Sequence, residues 1–151
     1  MSFSATDAGS GLAAGMPTAR LDGTTVANGQ SISILTLALG THTFVLSATD
    51  LAGNSRSQNV TFTVVATIDS LIASVNAFAG QHKIDDSNTV KSLLGKLNDA
   101  KDLVQRNKIP GAIDKLQGFI DLVAAQRGRH ITADAAQILI ADAQYVIGTL
   151  R

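Results

Sequence analysis

Cysteine and tryptophan do not occur in the 151 residues, and every one of the 12 acidic side chains is an aspartate. Without thiols the chain can form no disulfide, no zinc–thiolate centre and no cysteine nucleophile. Aromatic residues make up 4% of the chain, too few for the stacking platforms that sugar-binding surfaces present. Lysine and arginine number 12, matching the acids, so no net field gathers nucleic acid or an anionic membrane. No apolar run reaches the roughly 20 residues that span a bilayer. Met1-Ser2-Phe3 also lacks the charged and apolar regions of a secretion signal, so a secreted parent would make this chain a processed piece of it. Phosphate-binding glycine loops and serine-elbow patterns are missing too.

Hydrophobic residues at 45% suit one domain or two small ones at this length. Up to Val65 the apolar residues recur with period two. His42 to Ala48 places Phe44, Leu46 and Ala48 on one face, and Asn59 to Val65 turns Val60, Phe62 and Val64 inward. A loop over 50–54 joins the two as a hairpin. Asp22-Gly23 and Asn28-Gly29 are turn dipeptides that separate short strands near 17–22, 24–27 and 31–36, with one more strand at 2–6. Half a dozen short strands with frequent turns predict a β-sandwich.

The segments SFSATDAGSGLA, ARLDGTTVANGQ, LGTHTFVLSATDLAGN and VTFTV carry a family resemblance. Over residues 2–65 they resemble the bacterial extracellular immunoglobulin-like repeats, with Gly40 to Asn54 as the closest block. The resemblance implies a spacer and interaction module of secreted or cell-surface proteins. Such domains begin with one more strand, so the first strand is either clipped or supplied in trans. The β-half holds Arg20 and Arg56 but no lysine, which excludes an internal lysine crosslink there.

At Thr67 the period changes to 3.6. Ile68, Leu71, Ile72, Val75 and Phe78 make the first helical stripe, capped by Thr67, with Asp69 at the positive end and Gly80 as the stop. The second helix spans about 87–106, with Val90, Leu93, Leu94, Leu97, Ala100 and Val104 on one face. Asp102 stands one turn from Arg106, and Asn107 is a left-handed stop. The third, IPGAIDKLQGFIDLV, is the most regular: apolar residues fall at 109, 112, 113, 116, 119, 120 and 123, and Pro110 suits a first helical turn. Gly128 ends it. The last helix has Thr132 as N-cap and Ala136, Leu139, Ile140, Ala143, Val146, Ile147 and Leu150 as core face. Four helices with short loops predict an antiparallel four-helix bundle, with the third helix central. No Pro, Gly or Ser linker separates it from the last strand, which predicts that the two halves are held in a fixed relation.

SLIASVNAF, SLLGKLNDA, AIDKLQGFIDLVAAQRGRHIT and AAQILIADAQYVI look like the FIMAH domain over residues 68–150. The resemblance implies a small module of secreted bacterial enzymes and surface proteins, and it transfers no catalytic residue. The expected class is therefore α+β in two modules: 1–65 an immunoglobulin-like β-sandwich, 66–151 a FIMAH-like four-helix bundle.

Candidate chemistry is sparse. His42 lies in a strand and suits a corner hydrogen bond, while His82 and His130 fall in loops with no second ligand at metal spacing. Asp7, Asp22, Asp50 and Asn54 invite a calcium reading, but turn formation explains three of them and they form no close oxygen cluster. The aspartates of the bundle mostly fall on polar helix faces instead of pairing across a cleft. More informative is a second apolar set on the last helix, Ile138, Ala141 and Tyr145, matched on the third by Gly118, Leu122 and Ala125. These faces either contact another part of the chain or dock a protein. The expected function is a non-catalytic accessory region, extracellular or at the cell surface, with no cofactor or metal and no membrane insertion. Its expected partner is protein, self or a neighbouring domain, with strand addition at the β-domain edge. The alternative is a glycan- or cell-wall-binding module.

Overall fold

The computed structural model describes residues 1–151, apart from the side chain of Thr36. The chain divides into two compact units, Met1–Val64 and Val65–Arg151.

The first unit is an antiparallel sheet of four strands: β1 (Thr18–Leu21), β2 (Thr24–Val26), β3 (Gly40–Thr49) and β4 (Ser55–Val64), in the order β2-β1-β3-β4. Asp22 and Gly23 both take positive φ, 48° and 82°, the mirror-image turn whose twist suits a two-residue hairpin. β3 and β4 pair one to one from Gly40↔Val64 to Thr49↔Ser55. This register sets Ala19, Leu21, His42, Phe44, Leu46, Val60 and Phe62 on one face, and a Ser/Thr-rich set on the other.

Several strand expectations are corrected. Residues 2–6 form no strand; an asparagine side chain supplies pairing there, as Phe3 N–H donates to Asn28 Oδ1 and Asn28 Nδ2 donates to the Phe3 carbonyl. Within 31–36 the alternating pattern yields a 3-10 turn at Ile34–Thr36, because period two becomes a strand only where a neighbour offers a ladder. Among the described residues no second sheet faces the first. Its apolar side is accordingly half covered: Phe44, Leu46 and Phe62 are partly exposed and Val60 is 53% exposed. Only Ala19, Leu21, Val26 and His42 are buried there.

The second unit comprises α1 (Ile68–Gly80), α2 (Ser87–Gln105), α3 (Ile109–Gln126) and α4 (Ala133–Leu150). Thr67 Oγ1 accepts from Ser70 N–H while Ser70 Oγ accepts from Thr67 N–H, a reciprocal capping box. Asp86 caps α2 through Thr89 N–H. Each helix packs on its two neighbours in the cycle α1-α2-α3-α4-α1, most extensively α2 on α3. The helix α3 is one side of this four-sided arrangement instead of its centre. Phe78, Leu93, Leu97, Leu116, Phe119 and Leu139 are fully enclosed. Ser74, Thr89 and Ala135 are buried as well, whereas Ile72, Leu94 and Ile140 are half-buried at the margins of their stripes. Asp102 forms no ion pair with Arg106 among the described residues. Lysines instead bridge between helices, Lys101 to Asp69 at 2.6 Å and Lys115 to Asp99 at 2.7 Å.

Replacing a fully enclosed leucine should open a cavity that the bundle cannot collapse. Leu116→Ala should lower stability by about 2–5 kcal/mol in a denaturant titration followed by helical circular dichroism. A loss below about 0.5 kcal/mol would contradict the packing described.

Candidate functional site

His42 is the most enclosed titratable side chain of the β-unit, 7% exposed. β3 carries it beneath the β1–β2 turn, where Asp22 reaches down. Nδ1 lies 2.6 Å from Asp22 Oδ2 and Nε2 lies 2.8 Å from the Ala38 carbonyl. Both partners accept, so both are satisfied only when the imidazole carries two protons. Asp22 Oδ1 also accepts from Thr43 N–H, and the His42 ring stacks on Phe62 at 5.4 Å between centroids. The bond to Asp22, with the Ala38 carbonyl in support, raises the His42 pKa; the same bond lowers that of Asp22. This histidine is a clamp between turn and strand, as the corner hydrogen bond foresaw.

The calcium reading does not assemble. Asp22 is held by His42, Asp50 accepts from Asn54 N–H and Asn54 Nδ2, and Asp7 accepts from Gly11 N–H. Asp7, Asp50 and Asn54 do line one cleft of about 550 Å³, which residues 4–7 form with the β3–β4 hairpin. Arg56, Gln58 and Leu46 complete its wall. Among the described residues no group of three or more His and Asp side chains is placed to hold a metal.

In the helical unit the loops after α1 and α3 are zipped together at one end. Asp85 N–H donates to the His130 carbonyl and Thr132 N–H to the Lys83 carbonyl, with Ile84 and Ile131 buried between. Lys83 Nζ bonds Asp134 at 2.6 Å and lies 5.6 Å from the centre of the Phe78 ring. That ion pair holds the Asp134 carboxyl far below its ordinary value. His130 Nδ1 bonds Asp85 at 2.9 Å, and His82 is the left-handed residue after α1. The opposite end carries a groove of about 310 Å³ lined by Ile68, Val104, Val146 and Leu150, with Lys101 and Asp69 at its rim.

The stripe proposed for docking lies off the core. Tyr145 is 36% exposed, Ala141 is exposed, and Ile138 and Leu122 are half-buried. The minor stripe of α3 is closed at its start, since Lys96 reaches across to within 3.1 Å of where a Cβ on Gly118 would stand. Sequence reasoning missed Asp142. It sits one turn after Ile138 and three residues before Tyr145, half-buried, with no hydrogen-bond or ion-pair partner for its carboxylate among the described residues. Burial raises its pKa. Its spacing from Ile138 and Tyr145 was the available signal.

These features define a small antiparallel helical module with a continuous apolar core, looped ends braced by ion pairs, and a mixed stripe on its last helix. Residues 68–148, more than half of the chain, match the family described as the FIMAH domain. The chain belongs to this family. The match does not extend into the β-unit, and no curated protein and no solved structure matches the chain. No helix among the described residues is long and apolar enough to cross a membrane.

The clamp predicts a pH window for the β-unit. His42 has a raised pKa, so its contribution is complete below the ordinary histidine value of 6.5 and fades as pH rises through the raised one. Asp22 has a lowered pKa, so its share is complete above the ordinary 3.8 and is lost as pH falls through the lowered one. Melting of the β-unit, followed by amide NMR signals of β3, should be highest between those limits. His42→Asn should remove the decline on the alkaline side; an unchanged alkaline limb would reject the clamp.

Proposed function

We propose that this chain is a non-catalytic accessory region of a secreted or surface bacterial protein, serving as spacer and protein-interaction module. The observation that carries the reading is the stripe on α4. Ile138, Ala141, Asp142 and Tyr145 form one face outside the core, where apolar area and a half-buried carboxylate remain without a partner among the described residues. Burying a carboxylate unpaired is costly, so a docking protein that brings Lys or Arg to Asp142 gains from both terms. Leu122 on α3 belongs to the same proposed surface.

A non-catalytic role is supported by the occupations of the histidines. His42 clamps a turn, His130 braces a loop pair, and His82 takes the left-handed position of a helix end. For the β-unit we infer one sheet of an immunoglobulin-like repeat. The hairpin across Gly40 to Asn54 and a half-covered apolar face both suit a sheet that receives a second layer. The cleft lined by Asp7, Asp50, Asn54, Arg56 and Gln58 favours the second reading, a glycan- or cell-wall-binding module, because polar side chains converge there.

The test compares Ile138→Ser plus Tyr145→Ser with Leu139→Ala. The surface pair should change stability by about 0.5 kcal/mol or less per site, whereas Leu139→Ala should cost about 2–5 kcal/mol. If the surface pair unfolds the bundle as badly as the core change, the stripe is internal and the docking reading fails. Incubation with polysaccharide, peptide and ester substrates should give no turnover; turnover abolished by changing one His or Asp would overturn the non-catalytic role.

A further inference from the structure

The two edges of the sheet are treated differently. β2 is only three residues long, and the strand-end turn beside it is tied down: the Met1 amino group donates to the Gln30 carbonyl at 2.6 Å and Gly29 N–H to the Met1 carbonyl. The strand β4 is ten residues long, pairs only with β3, and is exposed over most of its length. It contains no proline and no lysine, its one charge is Arg56, and its unbroken register leaves no bulge. These are the devices by which proteins guard an edge, and β4 has almost none of them.

Its open groups can be identified. Asp50 N–H bonds the Asn54 carbonyl, which makes that closing pair a hydrogen-bonded one. Alternation along the register then turns the backbone N–H and C=O of Ser55, Ser57, Asn59, Thr61 and Thr63 toward the open side. The hydroxyl contacts Ser47–Ser57 and Thr49–Ser55, both 2.8 Å, sit at the complementary positions where cross-strand side chains stand closest.

We propose that β4 pairs antiparallel with β4 of a second copy about a two-fold axis at Asn59, making one continuous eight-stranded sheet. This rests on the reading of the chain as an interaction module and names its self-association surface. The occupant follows from self-complementarity: in this register Ser55 meets Thr63 of the other copy, Ser57 meets Thr61 and Asn59 meets itself, so every open backbone group finds a partner. The side chains brought together on that face are hydroxyls and amides. The two Arg56 side chains stay apart, each opposite a Phe62 ring, so no like charges face each other.

The absence of cysteine from the chain makes the register directly testable in the intact 151-residue protein. Cα atoms of a hydrogen-bonded pair stand about 5.5 Å apart, within the range of about 4.4–6.8 Å that a disulfide spans. Asn59→Cys should crosslink to a dimer on mild oxidation. Ser57→Cys alone should not, because its two copies lie roughly 14 Å apart along the strands. Ser57→Cys mixed with Thr61→Cys should crosslink. In sedimentation equilibrium the parent chain should dimerise, and Asn59→Lys, which sets two charges face to face, should weaken the dimer by about tenfold or more while leaving the melting profile intact. A monomeric parent chain, or equal crosslinking at all three positions, would overturn the proposal. A dimer that survives Asn59→Lys but is lost with Ile138→Ser plus Tyr145→Ser would also sink it, while leaving the interaction-module reading standing.

Discussion

The return of the chain at each helix end is the constraint behind the bundle: α1 and α2 close on left-handed residues, His82 and Asn107, and α3 closes on a turn through Arg127 and Gly128. A helix leaves its last carbonyls unbonded, and a left-handed residue folds the chain back so that following N–H groups reach them. After α1, Lys83 N–H bonds the Phe78 carbonyl and His82 N–H the Ala79 carbonyl; after α2, Lys108 N–H bonds Leu103 and Asn107 N–H bonds Val104. The same geometry repeats with different residues. Asparagine and histidine are among the non-glycine residues that tolerate it. After α3 the geometry differs: Arg127 is extended, and Arg129 N–H bonds the Gln126 carbonyl across a turn in which Gly128 takes positive φ without steric cost. By closing each helix tightly, these turns bring the next apolar stripe back onto the one before.

The two loops at the α1–α2 and α3–α4 end then meet and bury Ile84 against Ile131. Lys83, Asp134, Asp85 and His130 arrange themselves around that contact. Exposed ion pairs of this kind contribute little each, so the buried isoleucines and backbone bonds hold the end together. The charged groups that look most like a site in the helical unit are therefore braces.

The β-unit shows the opposite economy. Its sheet has one polar face, one half-covered apolar face and one unguarded edge, and the His42–Asp22 clamp ties its first turn to β3. A sheet whose apolar side remains half open suits a module that completes itself against something else. The helical unit leaves apolar area open by a separate route, the stripe of Ile138, Ala141 and Tyr145 on α4.

Periodicity alone determined the helices and the long hairpin. The 3.6-residue stripes from Ile68 onward, the cap at Thr67, the stop at Asn107 and the turn at Asp22-Gly23 are local, and local geometry is written in local residues. Strands at 2–6 and 31–36 were not decided locally. A strand exists only by its neighbour, and those segments found an asparagine side chain and a 3-10 turn instead of a ladder. The tertiary structure also decided which lysine pairs with which aspartate, since Lys101–Asp69 and Lys115–Asp99 join residues 32 and 16 apart in the chain. It alone exposed Asp142 as a half-buried acid and β4 as an open edge. Burial and edge position depend on what packs alongside, and no single stretch of sequence records its neighbours in space.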